Sequence, residues 1–283
     1  MEQEAQPSCC TRFKLSLGRL LYEFVGTFLF TMIFINMNQF VLAMGLWIVV
    51  IFCWKTSGAQ LNPAITAAYV LRKDERPAYQ MHMMLGLMYI GAQVAGAYVG
   101  ATLMSFLNWD LVAIRPENDK WIFPAMMQET LGTFVLVFFY LMQSDSKQHF
   151  SKEPAINCFI ISSSYVAARA IFDGGSFKIT NYGACLNPAI AAGITIAAIV
   201  TEGAKSLTYC WIYPVMPFCG AFLAFLFYEL VYKKTQKMLK HTREEHDEHE
   251  AEQEAEHEID SAAELKPDDS ETALPVSEAA IIE

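Results

Sequence analysis

A chain of 283 residues that is 54% hydrophobic and only 18% charged, with mean hydropathy +0.26, is too apolar for a large soluble domain. Its net charge of -10 is gathered mainly in the C-terminal segment from His241 onward, so it describes a tail and not the body. Basic residues flank apolar runs without forming a patch, which excludes nucleic acid as a partner, and the seven cysteines show neither C-x-x-C nor a zinc-like Cys/His spacing.

The N-terminus lacks a short apolar run followed by a small-residue cleavage site, so no removable signal peptide is expected. Residues 1–16 form an N-terminal segment in which Cys9 and Cys10, beside basic residues, are candidates for acylation. Six runs are then long and apolar enough to cross a bilayer, which takes about 20 residues. They are Leu17–Asn36, Phe40–Lys55, Tyr79–Phe106, Phe123–Gln143, Pro154–Phe172 and Ser206–Tyr232. Only helices and closed barrels satisfy the backbone in lipid, and the period-2 pattern of barrel strands is absent. The body, residues 17–232, therefore reads as an all-α membrane protein.

Two shorter apolar stretches, Asn62–Leu71 and Asn187–Ala198, are too short to span and read as re-entrant half-helices. Lys and Arg cluster on one set of loops: Arg12, Lys14 and Arg19, then Arg72, Lys73 and Arg76, then Lys147 and Lys152, and finally Lys233 to Lys240. By the positive-inside rule both termini face the cytoplasm.

The chain repeats itself. "EFVGTF", Glu23–Phe28, opens the first span, and "ETLGTF", Glu129–Phe134, opens the fourth. Each is followed by a span, an L-N-P-A-I element and another span. Three spans per copy force the second copy, about 123–232, to insert upside down relative to the first, about 17–106. The elements "LNPAI" at Leu61–Ile65 and Leu186–Ile190 then carry the site. Asn62 and Asn187 are strong N-caps, Pro63 and Pro188 suit the first helical position, and Ala64 and Ala189 keep the turns small. Inversion brings the two helix starts to the bilayer centre from opposite sides. Each start presents about half a unit of positive charge, and each Asn amide offers donors to a passing oxygen. Such a path accepts small neutral molecules and opposes cations and protons.

These residues, with "QVAGA" at Gln93–Ala97 and "WIYPVMPFCGA" at Trp211–Ala221, resemble the aquaporin and glycerol-facilitator family over roughly Leu15 to Tyr232. The resemblance implies six transmembrane helices plus two re-entrant half-helices in an inverted repeat, and a homotetramer with one pore per protomer. It implies that Glu23 and Glu129 accept hydrogen bonds from the re-entrant backbone. It also locates a selectivity filter, and there the chain departs from the pattern. The usual arginine three residues after the second Asn is Ile190, and the position three residues before that Asn is Ala184. The fifth span is expected to contribute Ala170, with Arg169 beside it, and the second span Leu42 or Met44. Arg169 either enters the vestibule in place of the missing arginine or snorkels to the interface. Cys185 either lines the pore or packs behind the half-helix, and Gln60 stands where many relatives have histidine.

The tail, 233–283, has no sustained apolar stripe and reads as a solvated, partly helical extension. Its expected role is docking a soluble or membrane partner. Weak divalent-metal binding by His241, His246, His249 and His257 is the alternative, so no metal site or cofactor is assigned. No nucleophile–base pair or phosphate loop supports an enzyme. The function implied is a passive channel for water or small neutral solutes; the alternative is a weakly conducting structural subunit that holds a larger assembly through its tail or lipid-facing surface.

Overall fold

The computed structural model describes residues 9–36, 38–72, 81–108, 111–172 and 179–264, with side chains from 13 to 254. Expectations resting on the Cys9, Cys10, Arg12 and His257 side chains, on Lys73 and Arg76, on the Tyr79 start of the third span and on the extreme tail lie outside these residues. The chain divides into two units, one ending at Lys233 and one beginning at Lys234.

The first unit is helical throughout its described spans. Its helices are α1 (Cys9–Ile35), α2 (Gln39–Ser57), α3 (Pro63–Leu71), α4 (Met83–Asn108), α5 (Ile122–Gln143), α6 (Pro154–Phe172), α7 (Pro188–Glu202) and α8 (Ile212–Phe227). Local chemistry sets several ends. Asn38 caps α2 by accepting from the backbone N–H groups of Phe40 and Val41, at 3.0 and 3.1 Å. Gly58, left-handed at φ 86°, closes it with its N–H on the Trp54 carbonyl. The helix therefore runs slightly past the Phe40–Lys55 expected, because Lys55 does not stop it.

Two expected boundaries are corrected. The last span does not begin at Ser206, which sits in a 3-10 turn, Gly203–Leu207; α8 starts at Ile212. α7 continues beyond Ala198 to Glu202 and ends at Gly203, whose φ of 61° breaks the helix.

Length and apolarity alone would make Pro188–Leu207 a crossing segment. Geometry does not. The nine residues of α3 and fifteen of α7 rise about 14 and 22 Å, short of the roughly 30 Å hydrocarbon core. α6 carries Ser162, Ser164 and Arg169, yet the two serine hydroxyls bond carbonyls of their own helix at 3.0 and 2.7 Å. Their polarity is answered inside the segment. The six crossing helices are α1, α2, α4, α5, α6 and α8, and the protein is an integral, multi-pass membrane protein.

Glycines let the helices approach. A Cβ on Gly96 of α4 would lie 2.2 Å from the Phe24 carbonyl of α1, and one on Gly220 of α8 would lie 2.2 Å from the Thr130 carbonyl of α5. Phe24 and Thr130 are the second residues of the two repeated hexapeptides. The same close backbone contact is thus made twice, as small residues permit between membrane helices.

On the face carrying the start of α1, the loop after α5 is tied to the end of the last span. Asp145 accepts from the Tyr228 hydroxyl at 2.7 Å and from the Lys147 backbone N–H at 2.9 Å. Tyr228 opens a π-helical turn, Tyr228–Tyr232, where α8 loosens before the tail. Arg72, capping α3, reaches the Leu141 carbonyl and the Ser144 hydroxyl at 3.3 and 3.0 Å.

The second unit continues in α9 (Lys233–Glu264), exposed through Glu254 and so more fully helical than expected. It carries i,i+4 pairs Lys240–Glu244, His241–Glu245 and His246–Glu250. Ligand atoms of His246, Asp247 and Glu250 lie within 4.8 Å of one another, all on the exposed surface.

Burial alone would raise the Asp145 carboxyl, but the Lys147 N–H, the Tyr228 hydroxyl and the charges of Arg72 and Lys233 outweigh it and hold it below the usual 3.8. The stabilisation is present above that value and is lost as pH falls through the lower native one. Tyr228→Phe should cost about 1 kcal/mol, or roughly 2–4 °C in Tm, at pH 7. Melting in detergent between pH 7 and pH 3 should show that difference shrinking at the acid end.

Candidate functional site

The site is built from one stripe repeated in α1 and α5. Glu23, Thr27, Phe30 and Phe34 are buried along α1, and Glu129, Thr133, Leu136 and Tyr140 are buried at the matching positions of α5. The spacing of three, four and seven keeps each set on one helical face. The two glutamates hold the turns that precede the half-helices. Glu23 accepts from the backbone N–H groups of Gln60 and Leu61 at 3.0 and 2.7 Å. Glu129 accepts from those of Cys185 and Leu186 at 2.6 and 2.7 Å. Unwound backbone in a membrane interior has no water to bond, and each carboxylate answers two such groups.

The turns carry strain. Leu61 and Leu186 are left-handed, at φ 50° and 54°, a region that bulky residues seldom adopt. The glycines of the hexapeptides make room for them. A Cβ on Gly26 would meet Leu61 Cδ2 at 2.5 Å, and one on Gly132 would meet Leu186 Cδ2 at the same distance. Each E-x-x-G therefore acts as a unit: the glutamate grips the turn's N–H groups, and the glycine one turn later receives its leucine. The strain costs on the order of 1–3 kcal/mol per turn and persists because both contacts fix it.

It turns the leucine carbonyls toward the opposing cap. Asn62 Nδ2 donates to the Leu186 carbonyl at 2.8 Å, and Asn187 Nδ2 donates to the Leu61 carbonyl at 2.8 Å. Each Asn Oδ1 accepts from its own helix start, Ala64 N–H at 2.9 Å and Ala189 N–H at 3.0 Å. Pro63 and Pro188 occupy the first helical positions. The two half-helices meet cap to cap, locked by a reciprocal pair of bonds. An amide nitrogen has two N–H donors, so this lock uses one on each Asn and leaves the second.

A family model for major intrinsic proteins matches residues 11–228. The chain belongs to that family. It is 30% identical over 191 residues to the probable aquaporin TIP2-2 of Oryza sativa subsp. japonica, covering 66% of this chain and 68% of that one. It is 29% identical over 221 residues to the glycerol uptake facilitator protein of Bacillus subtilis (strain 168), covering 66% and 73%. Matches of this kind span 55% to 73% of the relatives' own lengths. The X-ray structure of the aquaglyceroporin from Plasmodium falciparum superposes with a TM-score of 0.65 at 19% identity, over 79% of this chain and 99% of that one. That likeness shows the fold. Members of this family are channels, and the chain is not an enzyme.

Beside the caps of this family member lies a small cavity, with about 20 Å³ open to the centre of a water-sized sphere, enough for one water. Asn62 and Gln60 give it polarity; Phe30, Val50, Leu136 and Tyr165 are among its apolar and aromatic walls. The walls from α2 are Leu46 and Val50, one and two turns beyond the expected Leu42 and Met44. Leu42 is buried nearer the start of α2, and Met44 is half-buried.

At the mouth opposite α1's start, Ala184 and Ile190 are fully buried. One expectation is corrected there and one alternative is decided. Ala170 is exposed, because adjacent helical residues point about 100° apart and it is Arg169 that turns inward. Arg169 does not snorkel: it is 3% exposed and donates to the carbonyls of Ala184 and, at 2.8 Å, Tyr182. Cys185 packs inside the turn, its Sγ 3.3 Å from the Asn187 carbonyl.

Reading the sequence missed Phe30, Phe34, Tyr165 and Tyr182. Tyr165 donates to the Cys185 carbonyl at 2.9 Å, and Phe34 stacks on Tyr182 with centroids 6.0 Å apart. A signal existed for the first two, which follow Glu23 by seven and eleven residues on the same face. Tyr182 follows a stretch whose length hid its register.

Glu129→Ala should leave two buried N–H groups unanswered, at roughly 1–3 kcal/mol each. Gly132→Val should drive a side chain into Leu186. Both variants should lower Tm in detergent and reduce permeability in vesicles, whereas Gly18→Val, at a position with open space around it, should do neither.

Proposed function

We infer that the chain is a passive channel for water and small neutral solutes, and the reciprocal Asn62–Leu186 and Asn187–Leu61 bonds carry this reading. They hold two helix N-termini against one point, which sums to about one unit of positive potential at the bilayer centre. The second N–H of each amide donates to a solute oxygen as it passes. Water loses bulk hydrogen bonds on entry and regains two oriented donors. A cation regains nothing and meets repulsion.

The mouth by α1's start faces the cytoplasm, supported by Lys14, Arg19, Lys147, Lys152 and Lys233 on the loops of that side. The protein assembles as a homotetramer in its membrane, in keeping with its family. Apolar residues left exposed on the outer faces of its helices, including Phe106, Val200 and Phe222, meet lipid or neighbouring protomers. The acidic tail helix docks a soluble or membrane partner.

Stopped-flow light scattering on liposomes holding the purified protein tests the reading. Osmotic shrinkage should be at least several-fold faster than for empty vesicles, with no proton leak. Asn187→Asp, which trades an amide donor for a carboxylate at the caps, should admit cations. Shrinkage at the rate of empty vesicles would instead leave a structural subunit.

A further inference from the structure

Resting on the channel reading, we propose that Arg169, reaching from α6 over the loop that leads into the second cap, is the specificity-determining plug of the mouth opposite the termini.

The inverted repeat supplies the comparison. α2 and α6 both have nineteen residues, so Trp54 and Arg169 occupy matching positions. The paired hexapeptides match Phe34 with Tyr140, the two LNPAI elements match Ser57 with Tyr182, and the packing glycines 96 and 220 match Tyr89 with Tyr213. In the first repeat the carbonyls of Ser57 and Gly58 are taken by the hydroxyls of Tyr89 and Tyr140, at 3.1 and 2.7 Å. Trp54 packs edge-on against Tyr140, with centroids 6.2 Å apart.

The second repeat solves the same problem differently. Phe34 has no hydroxyl to offer the Gly183 carbonyl, which accepts from the Thr180 hydroxyl at 2.7 Å, and the carbonyl of Tyr182 is taken by Arg169. Tyr213, the counterpart of Tyr89, is buried with its hydroxyl lacking a hydrogen-bond partner among the described residues. The arginine has taken the Tyr182 carbonyl, whose equivalent in the other half, that of Ser57, is taken by the Tyr89 hydroxyl.

The guanidinium lies 4.7 Å from the Phe34 ring centroid and 5.7 Å from that of Tyr165. It is thus flanked by two rings and held by two carbonyls. Its Nε–H has no hydrogen-bond partner among the described residues, although the atom is buried. The residues it touches, Phe34, Tyr165, Tyr182 and Ala184, are at most 7% exposed. The room for one water lies farther in, beside Asn62. A bulky cation in an aromatic collar blocks solutes with a carbon skeleton and repels other cations. Its spare donor serves a water molecule.

Three proteins in liposomes test this: wild type, Arg169→Ala and Arg169→Met, each assayed with water, urea and glycerol. The alanine variant should pass urea and glycerol at least five-fold faster than wild type, with water no slower. The methionine variant, which keeps the bulk, should stay closed to glycerol. Water permeability falling in both variants with no gain for glycerol would show that Arg169 merely props the loop, overturning the plug while the channel stands. Unchanged rates for every solute in both variants would do the same. Failure of all three proteins to exceed empty vesicles would sink the channel reading and the plug with it.

Discussion

Two backbone turns lie unwound in the middle of the bilayer, and every buried N–H in them needs an acceptor that lipid does not provide. That constraint organises the rest. Glu23 and Glu129 are carboxylates in membrane helices, costly on their own, and each becomes tolerable by taking the two N–H groups of one turn. The left-handed leucines then aim their carbonyls at the opposing asparagine. A single physical requirement thereby links the hexapeptides, the strained turns and the caps.

The inverted repeat is a symmetric scaffold carrying an asymmetric pore. The glycine contacts at Gly96 and Gly220, those at Gly26 and Gly132, and the reciprocal cap bonds recur in the two halves. The differences lie in which side chains answer the loop carbonyls. Tyrosine hydroxyls serve in the first half, and Arg169 with Thr180 serves in the second. Gln93 also supports Glu23, donating to it at 2.7 Å, while its counterpart is Pro217, which has no side-chain donor. The first repeat is therefore braced by neutral groups and the second by a charge. The segment 111–118 adds a further brace to the second loop: Asn181 bonds backbone groups of Ala113 and Arg115, and Arg115 pairs with Glu202 at 2.7 Å.

How much of this could be read beforehand follows from how local each feature is. Asn-Pro caps, glycine stops and the duplicated hexapeptides act within a few residues, and they were legible. So were the glutamates, because a carboxylate inside an apolar run demands a partner. The filter was not. Arg169 and Ala170 differ by one position on a helix, and periodicity blurred by serines does not say which of them faces inward. The loop before the second cap is longer than its counterpart, so counting from the motif could not locate Tyr182.

The amino-acid sequence by itself determined the six crossings, the inversion and the two opposed caps. Each of these rests on apolarity, chain length and hydrogen-bond chemistry between near neighbours. Only the tertiary structure decided that Arg169 rather than Ala170 turns inward from α6, and that Phe34, Tyr165 and Tyr182 surround it. The reason is that a side chain's role there depends on which carbonyls remain open after distant helices have packed. That set is fixed by the register between helices, which local sequence does not encode.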